Sequence, residues 1–287
     1  MLGIRCVIVD DSSFSIAFIQ DILEENGIEV VGTAGTLEEV KEVIKDKRPS
    51  LVTMDMTLPG TDGLECTRAV HEIDENIKVI VISSMMDDEI IKQAKDNKVS
   101  AYIQKPVEAD ELITAITRIM ALEELYELLE KEYFSIFKEA LLDGLNRMTK
   151  TMLTYENEYT SRKDHKSQGI TIIIGIIGKF AGRMLLDLSR ETADKVATAL
   201  LRRSPKNNDE MIAALGEFTN IVSGNACSLL NKKNKAFGLR ISPPTILHGD
   251  SVSISATSFN TSTAIANTNF GQVLLDVGFQ RGEDKWM

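Results

Sequence analysis

The feature that most constrains this chain is a rhythm between Ile4 and Val107. Short apolar runs, IRCVIV, EVVGTA, LVTMD, VIVIS and AYIQ, are separated by four amphipathic stretches, and a fifth amphipathic stretch follows Pro106. Such alternation specifies parallel strands with crossover helices on both faces, a doubly wound five-stranded α/β sheet. Ligand sites in these sheets lie beyond the carboxyl ends of the strands. The polar residues at those ends therefore matter most. Asp10 and Asp11 close the first run, Asp55 the third, Ser83 and Ser84 the fourth, and Lys105, followed by Pro106, the fifth.

Three carboxylates on one edge repel each other and call for a cation. An all-oxygen anionic set suits Mg²⁺, which keeps several waters and accepts phosphate oxygens. Lys105 is able to pair with the central carboxylate or with a phosphoryl group, and a serine hydroxyl to hydrogen-bond a phosphoryl oxygen. The chemistry implied is attack by a carboxylate on phosphorus to form an aspartyl-phosphate. Singly, acidic residues at strand ends are commonplace, either solvated or capping the next helix. It is the combined spacing that carries the reading.

VIVDDSS, MDMTLPGTDG, VISS and YIQKP together resemble the CheY-like receiver family, over nearly all of residues 1–122. The resemblance implies that Asp55 is the phosphoacceptor. Asp10, Asp11, Asp55 and the backbone carbonyl of Thr57 would bind Mg²⁺. Ser83 would move towards the phosphoryl group, Tyr102 would be the aromatic switch, and Lys105, before a usually cis proline, would hold the phosphoryl group. Thr57 and Met85 would flank the site and tune phosphoryl lifetime.

After Pro106 a helical pattern without internal proline runs from about Val107 to Leu142, with Gly144 as its first weak point. The stretch Tyr159 to Gly169 reads as a polar loop. GITIIIGIIG and GRMLLDLS read as paired strands around a glycine turn, and ETADKVATALL as a helix. Asn208 or Asp209 is placed to cap a longer helix through MIAALGEFTNIVSGNACSLL. From Thr245 to Gln280 β-branched residues dominate, which predicts several strands. The second half is thus α+β, with long helices and an antiparallel sheet.

Within that longer helix, Glu217 and Asn220 lie three residues apart and share a face. An acid and an amide on a solvated helix face are ordinary by themselves. The surrounding segments, GRMLLDLSRETADKVATALL, ALGEFTNIVSGNACSLL and ISPPTILHG, resemble the CheX/CheC/FliY phosphatase family from about Phe134 to Gln280, most closely CheX. In that family a Glu-x-x-Asn helix docks on a phosphorylated receiver. The resemblance implies that Glu217 pairs with the receiver lysine while Asn220 orients the hydrolytic water. Thr219 departs from the smaller residue usual before the asparagine. Asp143 and Asn146 share the spacing without the context and are read as incidental.

The expected organisation is a receiver at 1–122, a helical linker continuing its fifth helix at 123–133, and a CheX-like phosphatase domain at 134–287. A continuous helix to Leu142 would span about 50 Å at 1.5 Å per residue, which predicts action in trans. The expected protein is a response regulator whose phosphorylation at Asp55 controls hydrolysis of aspartyl-phosphate on other receivers. The alternative is a non-catalytic output that only binds phosphorylated receivers. Partners expected are a sensor histidine kinase, phosphorylated CheY-like receivers and, through the family's habit of sheet pairing, a second copy in a homodimer.

The chain has 287 residues, room for two ordinary domains. Residues 1–122 hold 12 basic and 23 acidic side chains, so the whole net charge of −11 lies there, and the rest is balanced. With no basic stripe the chain lacks the electrostatic footprint of a nucleic-acid binder. No apolar run approaches the roughly 20 residues of a membrane helix, and no secretion signal is visible. Cys6, Cys66 and Cys227 are scattered, which predicts neither zinc nor disulfides and fits a reducing cytoplasm. His71, His165 and His248 are expected to be surface or structural.

Overall fold

The five apolar runs form one parallel sheet whose three central strands are buried on both sides. The computed structural model describes residues 3–85, 87–249 and 252–282. They fall into two units, one up to Glu123 and one of Glu124–Gly282. In the first, the order is β1 (Arg5–Val9), α1 (Ser13–Glu25), β2 (Glu29–Ala34), α2 (Leu37–Lys47), β3 (Leu51–Asp55), a short hairpin of β4 (Thr57–Leu58) and β5 (Thr61–Asp62), α3 (Gly63–Ile73), β6 (Lys78–Ser83), α4 (Asp88–Asp96), β7 (Ala101–Gln104) and α5 (Ala109–Thr149). The sheet runs β2-β1-β3-β6-β7, all parallel. Val7, Val52, Met54, Val79 and Val81 fill the core on one side, and Cys6, Ile8, Leu51, Ile80 and Ile82 the core on the other. This period of two with apolar residues on both faces is what a sheet covered by helices on each side requires. Ser12, Thr36, Asp62 and Asp87 cap α1 to α4, each side chain accepting a backbone N–H of the first turn.

The second unit begins inside α5. Tyr126, Leu129 and Tyr133 are buried. The Tyr126 hydroxyl donates to the Phe279 carbonyl at 3.0 Å, and its ring meets Phe180 edge-on. Of the linker expected at 123–133, residues 124–133 therefore belong to this unit, with Tyr126, Leu129 and Tyr133 in its core. The helix also continues past Leu142 to Thr149. Gly144, expected as the helix's first weak point, serves as a point of close approach: a Cβ there would come within 2.9 Å of Val222 Cγ2.

The remaining elements are β8 (Leu153–Ser161), β9 (His165–Lys166), β10 (Gly169–Ile177), β11 (Gly182–Ser189), α6 (Arg190–Leu201), α7 (Asn208–Lys233), a 3₁₀ turn (Lys235–Phe237), β12 (Arg240–Ile241), β13 (Thr245–His248), β14 (Ser253–Ile254), β15 (Thr261–Thr268) and β16 (Gly271–Phe279). The antiparallel sheet runs β12-β10-β11-β16-β15-β8, with β13 also on β10. Leu141 and Leu145 of α5, Val196 of α6, and Leu215 and Phe218 of α7 converge on sheet residues such as Ile172, leaving a void of only about 10 Å³. That is too small for any ligand beyond a water.

Two local readings need correction. The polar loop expected at Tyr159–Gly169 is partly strand: β8 pairs with β15 through Ser161, and β9 pairs with β14. An edge strand with one wet face has too few apolar residues to announce itself, and its partner lies a hundred residues away. The cap of α7 is Asn207, whose side chain accepts from the Glu210 N–H at 2.9 Å.

Candidate functional site

At the carboxyl edge of the parallel sheet, Asp10, Asp11 and Asp55 each offer a carboxylate oxygen, all within 4.8 Å of one another. Asp10 and Asp55 are buried and Asp11 is exposed. Asp10 Oδ1 accepts from the Ser12 N–H at 2.8 Å, and its Oδ2 is 3.1 Å from Lys105 Nζ. Lys105 Nζ also lies 2.7 Å from Asp55 Oδ1. The Lys105–Pro106 peptide is cis. The lysine is fixed further by its N–H, which donates to the Ser83 carbonyl at 2.8 Å. Burial opposes its charge, but hydrogen bonds and charge from Asp55 and Asp10 outweigh this and hold the ammonium above its ordinary value. Burial raises the Asp55 carboxyl, with Lys105 pulling down and Asp10 pushing up. One ammonium does not neutralise three carboxylates. The all-oxygen donor set fits a hard divalent cation of the Mg²⁺ type, held by Asp10, Asp11 and Asp55.

Ser83 is buried, and its hydroxyl accepts from the Met85 N–H at 3.1 Å rather than touching the carboxylates. The Tyr102 hydroxyl donates to the Met85 carbonyl, and its ring packs in the core. Burial raises the phenol above its ordinary value, with a hydrogen bond to Ser83 acting the other way. Thr57 meets Asp55 through its N–H, so the structure adds a donor to the role expected for its carbonyl.

The second site lies on α7. Its apolar residues at helical spacing, Leu215, Phe218, Val222, Ala226 and Leu230, are buried. The opposite stripe is left to solvent. Glu217 is exposed on it and Asn220 half-buried. Among the described residues neither side chain has a hydrogen-bond or ion-pair partner. Thr219, the departure before the asparagine, faces inward: it is fully buried and its hydroxyl donates to the Leu215 carbonyl at 2.8 Å. It therefore leaves the exposed stripe unchanged.

A family model of the response regulator receiver domain matches residues 6–117, and one of the chemotaxis phosphatase CheX matches residues 170–267. The chain is 35% identical over 116 residues to the chemotaxis protein CheY of Bacillus subtilis (strain 168), which spans 40% of this chain and 97% of that one.

The chain belongs to the CheY-like receivers and carries a CheX domain behind its receiver.

It is also 32% identical over 118 residues to CheY of Thermotoga maritima, across 41% of this chain and 98% of the relative. Among solved structures, a chemotaxis protein CheX from Desulfovibrio desulfuricans is similar over 52% of this chain and 99% of its own at 22% identity, with a TM-score of 0.48.

The fold brings Asp10, Asp11, Asp55 and Lys105 of the receiver together, and it places Glu217 and Asn220 on one open face of the CheX domain. Two features escaped the sequence reading. Gly63 lies so close under the strand end that a Cβ would overlap the Asp55 carbonyl oxygen. The last glycine of MDMTLPGTDG was its only signal. In the CheX domain, the fully buried Asp187 accepts from His165 Nε2 at 2.9 Å, Ser167 Oγ at 3.1 Å, the Gln168 N–H at 2.9 Å and Thr171 Oγ1 at 2.6 Å. Its sequence signal is one acid among the apolar residues of GRMLLDLS. Arg147 pairs with Asp143 at 3.4 Å, an exposed contact along the helix.

Proposed function

We propose that the CheX domain hydrolyses aspartyl-phosphate on receiver proteins in trans, and that phosphorylation of Asp55 controls this output. The receiver takes its phosphoryl group from a sensor histidine kinase. A carboxylate oxygen of Asp55 attacks phosphorus, the phosphorus–nitrogen bond of the phosphohistidine breaks, and the electron pair leaves with the imidazole. Lys105, between Asp10 and Asp55, is placed to follow the charge onto the phosphoryl oxygens. Magnesium at Asp10, Asp11 and Asp55 would neutralise phosphoryl charge. Ser83 holds the Met85 N–H and Tyr102 the Met85 carbonyl. A phosphoryl oxygen accepting from the Ser83 hydroxyl would draw that side chain off the Met85 N–H and so re-aim the loop.

On the output side, phosphoryl transfer needs positioning and charge stabilisation more than covalent help. The Asn220 amide donates and accepts, so it orients a water in line with the phosphorus–oxygen bond without acting as a base. Glu217 pairs with the receiver lysine and sets the register. The observation that carries this reading is the Glu217–Asn220 face itself: open, on one stripe of α7, and without a hydrogen-bond or ion-pair partner among the described residues. Had the face been sealed in the core, the reading would fail. The three unpaired cysteines support a reducing, cytoplasmic setting, and a homodimer remains part of the proposal.

The test is Asn220→Ala. A receiver is phosphorylated with a small acyl phosphate, freed of donor, and its phosphoryl loss followed with wild type and variant. Losing one positioning group should slow hydrolysis by about 10²-fold while binding to the phosphorylated receiver persists. Hydrolysis unchanged by the substitution would leave the domain a binding module.

A further inference from the structure

Both ends of the proposed reaction, an acceptor carboxylate and an acid–amide pair, are carried by one gene product, and each is bordered by exposed apolar side chains. On α7, Ile221 is 36% exposed, beside Asn220 and one turn beyond Glu217. Gly224 and Ser228 continue this stripe without bulk, and it ends at the exposed Lys232. At the receiver edge, Phe14 is 80% exposed in the first turn of α1, three residues after Asp11, and Met85 is 56% exposed two residues after Ser83. Met85 is held there from both sides of its backbone, by Ser83 and Tyr102. Large apolar side chains presented on a helix start and a loop beside a charged site mark a surface that meets another protein.

The charges match as well. Glu217 has no cation in its own chain among the described residues, whereas Lys105 sits at the receiver edge with its side chain 27% exposed. Residues 1–122 carry the whole net charge of −11, and Lys232 faces out at the far end of the stripe.

We propose that the receiver served by α7 is that of a second copy of this chain: Glu217 pairs with Lys105 of the other copy, and Ile221 packs against its Phe14 and Met85. This rests on the phosphatase reading above and names its substrate. The water oxygen held by Asn220 bonds to phosphorus, and the bond from phosphorus to the Asp55 oxygen breaks. The carboxylate keeps the electron pair, and dihydrogen phosphate leaves with both protons of the water. Each copy thereby limits the phosphorylated lifetime of its neighbours, so the lifetime shortens as the protein becomes more concentrated.

The experiment uses full chains. Asn220→Ala protein is phosphorylated on Asp55 with a radiolabelled acyl phosphate and freed of donor. Unlabelled wild-type chain is then added, either untreated or already phosphorylated with cold donor. The expected result is label loss whose rate rises with wild-type concentration in at least one of the two states. Phe14→Ala and Met85→Ala placed together in the labelled chain should lower that second-order rate by about tenfold, the size expected for a lost apolar contact. A parallel reaction supplies an isolated, phosphorylated CheY-type receiver as substrate. If wild type clears that receiver while the label on the Asn220→Ala chain persists in both states, the self-directed proposal falls and the phosphatase reading stands. If neither substrate is cleared, both fall. An unchanged rate in the Phe14, Met85 double variant overturns the apolar recognition.

Discussion

Asp187 offers the sharpest test of how the CheX domain is held together. Replacing it with alanine removes the acceptor for four donors, from His165, Ser167, Gln168 and Thr171, at distances of 2.6–3.1 Å. The carboxylate is fully buried, so no water inside the fold takes its place without rearrangement. Removing one partner of a buried charged network costs about 3–5 kcal/mol, mostly because the groups left behind are stranded. Asp187→Asn keeps the shape but turns one acceptor oxygen into a donor that faces other donors. Each donor left unpaired costs roughly 1–3 kcal/mol, so asparagine should fall between wild type and alanine. His165→Ala should cost less than Asp187→Ala, because the carboxylate keeps three donors. The assay is urea unfolding of the full chain by circular dichroism, with the receiver transition as internal control. At an m of about 2 kcal/mol/M, a loss of about 4 kcal/mol lowers the CheX-domain midpoint by about 2 M. If the alanine variant unfolds within about 0.5 M of wild type at unchanged m, the loss is at most about a quarter of that expected and the account is wrong. The network would then contribute no more than an apolar filling.

Other predictions follow from single contacts. Gly63→Ala should displace the end of β3 and slow phosphorylation of Asp55 by up to about 100-fold, as small misplacements of reacting groups do; a rate within a factor of two of wild type, measured with an acyl phosphate, would show that the strand end yields cheaply. Burial pushes the Cys6 and Cys227 thiols up to about 12 and raises Cys66, so a disulfide reagent at pH 8 should find no reactive thiol in the native protein and all three after unfolding. The Arg203 side chain, with the Lys206 N–H, lowers the Glu210 carboxyl to about 2. A depressed carboxylate stabilises the fold above its ordinary value of 4.5, and the benefit is lost as the pH falls towards 2. The difference in thermal midpoint between wild type and Glu210→Gln should therefore shrink across that window; a constant difference would place the effect elsewhere.

What the sequence determined by itself is the part of the protein in which local pattern and global fold agree. Short apolar runs, four of the five closing on a polar residue and each followed by an amphipathic helix, suffice to specify a parallel sheet and to send Asp10, Asp55, Ser83 and Lys105 to one edge, because strand direction decides where every strand ends. The spacing of Glu217 and Asn220 likewise needs only the pitch of a helix to put them on one face. Tertiary structure decided what depends on partners distant in sequence. Whether that face is open or buried turns on which side of α7 meets Ile172 and Leu186. Thr219 turns inward for the same reason. Gly144 fails to break its helix because Val222 and Phe218 come to rest against it, and packing of this kind outweighs the modest local cost of a glycine. The edge strand β8 and the four donors around Asp187 were silent in sequence, since a half-wet strand and a lone acid acquire meaning only when the chain folds residues from far apart against them.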